Sequence, residues 1–182
     1  MEALGRVFDI GTAWVPVDID TANGATGKRI SMNGASGITF VFFGAAGGAE
    51  DLTLDVQQHT ASTGGTTADL DSGGVAGSRG PTYYHIKAET TLDNDESWVK
   101  VTQAEASECV VVGATYGAQQ KIVAIHVPAN SLADGYTHVS VVCSITTATP
   151  QLACMFYLLH DLYQQRKPTS LPNLLNPGAA NV

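Results

Sequence analysis

Short runs rich in Val, Ile, Phe, Tyr and Thr recur along almost the whole chain. Gly, Asn, Asp or Pro separates each from the next, which confines the chain to short strands joined by turns. Val7 to Ile10 and Trp14 to Ile19 read as an opening pair, with Pro16 marking an edge position because proline has no N–H for a ladder. A turn at Asn23-Gly24 leads to a strand from Lys28 to Met32. Ile38 to Phe43 is apolar at nearly every position, the pattern of a strand buried on both faces. Leu52, Leu54 and Val56 alternate with Thr53, Asp55 and Gln57, so that strand has one wet face. Further strands are expected at Thr82 to Ala88, Ser97 to Gln103, Cys109 to Val112, Lys121 to Val127, His138 to Ile145 and Leu152 to His160. Only Ala129 to Asp134, between Pro128 and Gly135, has room for a helical turn. The spacing predicts an all-β protein, a jelly-roll-like antiparallel β-sandwich of about ten to eleven short strands, with a barrel second.

Residues 1–167 carry these strands and form one domain, a size that can bury a real core. Two segments stand outside the pattern. Ala61 to Pro81 is a Gly-, Ser-, Thr- and Asp-rich stretch too long for an ordinary connection, and such loops are commonly functional or disordered. Residues 168–182 carry Pro168, Pro172 and Pro177 with Leu171, Leu174 and Leu175 between them. Prolines forbid a helix there and favour an extended arm, laid on its own body or on a neighbour. Leu171, Leu174, Leu175 and Pro172 are its expected partner-binding residues.

Charge narrows the partners. Charged residues make up 14% of the chain and apolar ones 44%, with a net charge of −8. The nine basic residues are scattered, so neither a nucleic-acid backbone nor an anionic membrane is expected as a partner. No apolar run approaches the ~20 residues of a membrane helix, and Glu2, Arg6 and Asp9 leave no apolar region for a signal peptide. Cys109, Cys143 and Cys154 are odd in number and widely spaced, as expected of buried free thiols in a reducing cytoplasm.

Motifs for chemistry are incomplete wherever they begin. Gly24-Ala25-Thr26-Gly27-Lys28-Arg29 has Ala22 and Arg29 where a phosphate loop needs glycine and a hydroxyl residue. Gly34-Ala35-Ser36-Gly37 has the wrong spacing for a nucleophile elbow. The five histidines are isolated, and only His126 and His138 are placed to meet across a hairpin around a metal. Asp18 to Gly24 and Asp69 to Gly73 begin like calcium loops but lack the third alternating carboxylate and the closing Glu. Asp93-Asn94-Asp95-Glu96 reads as a charged turn. Trp14, Tyr83, Tyr84 and Trp98 offer the alternative of a sugar-stacking platform on a carbohydrate-binding sandwich. The expectation is a protein that is not an enzyme, with no catalytic, cofactor-binding or metal-ligating residues.

Two stretches resemble the decoration (cement, or minor capsid) proteins of tailed-bacteriophage heads. One is Gly37 to Gly48 with Leu52-Thr53-Leu54-Asp55-Val56-Gln57-Gln58. The other is Ala133-Asp134-Gly135-Tyr136 through Val139-Ser140-Val141, then Phe156 to Tyr163. In that family an apolar strand, a Gly-rich turn and a leucine-threonine-leucine-x-x-glutamine strand follow in the same order. The ending departs from it, with Asp161-Leu162-Tyr163 where relatives often have aspartate-proline-arginine-tyrosine. Together these span roughly residues 28 to 165. The resemblance implies a virion structural protein made in the host cytoplasm without cofactors. It would bind the major capsid protein on the outer capsid surface and associate with itself, as a homotrimer. Another head or tail structural module is the nearest alternative.

Overall fold

The computed structural model describes residues 7–19, 25–145 and 149–162. Twelve strands occur in chain order: β1 (Phe8–Asp18), β2 (Ala25–Thr26), β3 (Ile30–Ser31), β4 (Gly37–Gly44), β5 (Leu52–His59), β6 (Thr67–Asp69), β7 (Tyr83–Glu89), β8 (Val99–Thr102), β9 (Glu108–Val111), β10 (Gln120–Pro128), β11 (His138–Ile145) and β12 (Leu152–His160). One short helix, α1 (Gly113–Tyr116), and a 3₁₀ turn at Ala129–Ser131 complete the described elements. The boundary at Lys167 and the arm with Leu171, Pro172, Leu174 and Leu175 lie outside the described residues.

The strands form two antiparallel sheets of a β-sandwich, with no closed barrel among the described residues. The front sheet runs β1-β12-β4-β10-β7-β8. The back sheet is centred on β11 and β5. Strands β2 and β3 share the free edge of β11, and β6 and β9 share the free edge of β5. The pairing is nested. First strand meets last, β2 and β3 meet β11, β4 meets β10, and β5 meets β9. A hairpin folded in this way and rolled into two sheets is the jelly-roll arrangement. The β7–β8 hairpin widens the front sheet beyond β10.

Alternation fixes which side chains meet between the sheets. Ile38, Phe40 and Phe42 from β4, Val123 and Ile125 from β10, and Met155 and Tyr157 from β12 point inward. They join Leu54 and Val56 of β5 and Val139 and Val141 of β11 in one cluster. Leu70, inside the long 61–81 stretch, is fully buried in that cluster and anchors it. The Asp71 carboxylate accepts the N–H groups of Gly73 and Gly74, so this stretch is a capped loop around a short strand.

Three sequence expectations change. The opening pair is the single strand β1, because it stays paired with β12 while register shifts on either side of Trp14 absorb the extra residues. It lies at the sheet edge, where Pro16 costs no ladder bond. The strand expected from Lys28 to Met32 shrinks to β3. A Cβ at Gly27 would sit 2.6 Å from the Val141 carbonyl oxygen, and there the backbone leaves the back sheet so that the Lys28 N–H reaches Ala13 O. Strand β4 is central in its sheet, but only one of its faces is covered. Thr39, Val41 and Phe43 point away from the core, and Phe43 is 45% exposed.

Candidate interaction surface

Pairing registers build the outer face of the front sheet row by row, since residues directly opposite in an antiparallel pair share a face. One row reads Ile10, Leu158, Thr39, His126 from β1 through β12 and β4 to β10. The next reads Thr12, Phe156, Val41, Ala124, and continues through His85 to Lys100. A third reads Cys154, Phe43, Ile122, Lys87. No outward residue of β12, β4 or β10 is Asp, Glu, Lys or Arg. Exposed Val15 and Leu152 stand toward the other end of β1 and β12.

At one end of this face His126 and His160 stack with ring centroids 4.9 Å apart. Gly37 lies between them, and a Cβ there would approach His126 Cε1 to 2.9 Å and His160 Cε1 to 3.0 Å. Thr39 Oγ1 lies 3.3 Å from His126 Nδ1 and 3.1 Å from His160 Nε2, and Ser36 Oγ donates to Asp161. Burial, then the neighbouring His160, holds the His126 pKa below its ordinary value. The expected meeting of His126 with His138 does not occur, because β10 and β11 belong to opposite sheets. His138 instead faces His59 across the back sheet.

The four aromatic residues of the sugar-platform expectation separate. Trp14 and Tyr84 are core residues, 6% and 1% exposed. Tyr83 lies on the outer face, as does Trp98, 49% exposed. The Lys100 ammonium sits 3.9 Å from the Tyr83 ring centroid and that of Lys87 5.5 Å from Trp98, with the His85 ring between the two aromatics. A cation therefore lies over each ring that would have stacked on a sugar.

The back sheet has a different exterior. Its outward rows read Ser31, His138, His59, Thr67; then Ser140, Gln57, Asp69; then Thr26, Val142, Asp55, Glu108. His59 Nδ1 lies 2.9 Å from Thr67 Oγ1 and its Nε2 lies 2.8 Å from Ser140 Oγ. Arg29 folds over this corner, donating to the carbonyls of Ala61 and Gly64 and to Thr67 Oγ1. Burial, then the charge of Arg29, lowers the His59 pKa to about 4. Burial raises the pKa of Asp55, and the carboxylates of Asp69 and Glu108 add to it.

Of the residues weighed for metals, Asp18 accepts the Gln151 N–H, and Asp20 to Gly24 lie outside the described residues. Glu89, Asp93, Asp95 and Glu96 bring their ligand atoms within 4.8 Å of one another at the tip of the β7–β8 hairpin. Glu96 closes that turn by accepting the N–H groups of Asp93 and Asn94, whose φ is 81°. The sequence showed the charged turn but not that Glu89 joins it, which needs the hairpin register. Cys109 and Cys143 are buried with pKa values pushed up to about 12, the state of inert thiols, while Cys154 is half-buried on the front exterior.

Among known proteins, the chain matches no family model, no curated protein and no solved structure.

Proposed function

We propose that this chain is a structural protein of a bacteriophage virion, a capsid decoration protein that binds the outer surface of the major capsid protein and works through subunit contacts, as a homotrimer. The observation that carries the proposal is the apolar exterior of the front sheet. A monomeric sandwich keeps such a face polar, and a contiguous apolar patch marks a surface meant to be covered. Interface cores are depleted of charge in the same way. The stretches that resemble decoration proteins supply β4, most of β5 and about half of β11 and of β12. The acidic net charge keeps such a subunit off the packaged nucleic acid.

The test is to mix purified protein with capsids lacking a decoration layer and weigh both by mass photometry. The expected result is a stoichiometric mass gain per capsid. No gain at micromolar protein, across capsids of several tailed phages, would count against a place on the virion.

A further inference from the structure

Building on the virion reading, we infer that the outer face of the front sheet is the contact between copies of this chain, so that its occupant is a second copy rather than the capsid. Size permits this. The four strands β1, β12, β4 and β10, about 4.8 Å apart and each presenting about 22 Å of length, make roughly 400 Å² of nearly flat, mostly apolar surface in projection. Patches of about 300–600 Å² are often functional on a monomer.

Composition points the same way. Self-association interfaces are more apolar than transient ones. Here Ile10, Leu158, Phe156, Val41, Phe43 and Ile122 form neighbouring rows without a charge among them. Such a face would be a hazard on a subunit waiting for a capsid, whereas another copy is available from the moment of synthesis.

The rim carries charges of both signs. Lys87 and Lys100 lie on the face, and among the described residues neither pairs with a carboxylate. The tip of the same hairpin gathers Glu89, Asp93, Asp95 and Glu96. A second copy can bring its four acids to Lys87 and Lys100 of the first, which favours association and fixes its orientation.

The experiment is sedimentation velocity of the full chain at micromolar concentration, with near-UV circular dichroism to verify the fold. Wild type is expected to sediment as a multiple of 19.0 kDa. Phe43→Glu and, on another strand, Ile10→Glu are expected to weaken association roughly tenfold or more, as for a central interface residue. Either variant decides the matter if the other does not fold. Val110→Glu, also exposed but on the back sheet, is expected to leave association unchanged.

A wild-type chain that runs as a monomer overturns the inference. If such a monomer associates once Leu171, Leu174 and Leu175 are all replaced by Ser, the chain's own C-terminal segment is the cover. An oligomer indifferent to both front-sheet variants also overturns it. Capsid binding separates this from the virion reading. An oligomer broken by Phe43→Glu that binds no capsid keeps the contact and loses the virion. A monomer that binds capsids through Phe43 does the reverse.

Discussion

The two exteriors of this sandwich are built on the same plan and filled differently. On the back sheet, the residues between the core positions are Thr53, Asp55 and Gln57 on β5, and His138, Ser140, Val142 and Ser144 on β11. On the front sheet they are Thr39, Val41 and Phe43 on β4, Ile122, Ala124 and His126 on β10, and Cys154, Phe156 and Leu158 on β12. Both sheets satisfy their backbone by pairing and both bury their inner faces in one core, so folding alone does not require the difference. On the proposed reading, the second apolar face serves a contact between copies rather than the chain's own core. Its extra hydrophobicity adds little stability to the isolated domain and would be realised only on association.

The largest expected effect separates neighbours on one strand. Phe42→Ala removes a fully buried ring and should cost about 3–5 kcal/mol, a large part of the ~5–15 kcal/mol that holds a domain together. Phe43→Ser, one residue on but facing outward, should change urea stability by no more than ~1 kcal/mol at dilution that prevents association. Equal losses at the two positions would mean that Phe43 already has a covered site within its own chain.

A smaller effect probes the back sheet alone. His59 is held neutral in the fold, with its pKa lowered to about 4 from 6.5 by burial and then by Arg29. The unfolded chain takes up the proton first as pH falls, so stability is full above pH 6.5 and declines between pH 6.5 and about 4. The loss should be on the order of 2 kcal/mol, and His59→Gln should flatten that part of the curve in thermal melts. A wild-type profile level from about pH 7 to about pH 4 would contradict the neutral, hydrogen-bonded histidine. The smallest effect concerns the hairpin tip. Chelating divalent cations should shift the melting temperature by less than ~2 °C, because Glu96 already engages that turn through backbone N–H groups. A shift of ~10 °C or more would make the four acids a metal site.

Much of this was legible in the sequence because runs of strand-forming residues stand between turn signals. Strands β5, β10, β11 and β12 fall almost where those runs put them, and β5 also shows the alternation of a strand with one wet face. Ile38 to Phe43 was readable as a strand but not as one with an open face. An unbroken apolar run says that both faces avoid water, and it is silent on whether the chain itself or another copy does the covering. Local breaks were hidden for another reason. Gly27 interrupts a strand, and Gly113 opens α1 with its N–H held by Asp51, because of how closely distant backbone approaches them. The stack of His126 on His160 depends on β4 lying between β10 and β12, an order no local pattern encodes. The partner-binding expectation for Leu171, Pro172, Leu174 and Leu175 lies outside the described residues.

Cys154 offers the most direct measurement, since it lies on the front exterior opposite Phe43 while Cys109 and Cys143 stay buried. Its alkylation rate by a maleimide can be followed by mass spectrometry in the wild-type chain and in Ile10→Glu. A Ser144→Cys substitution, made in each background, supplies the matching exposed thiol on the back sheet. Cys154 is expected to be protected in the associated wild type and to react in the dissociated variant, while the introduced back-sheet thiol reacts equally fast in both. Equal rates at Cys154 in the two chains, or protection of the back-sheet thiol instead, would contradict a front-sheet contact between copies.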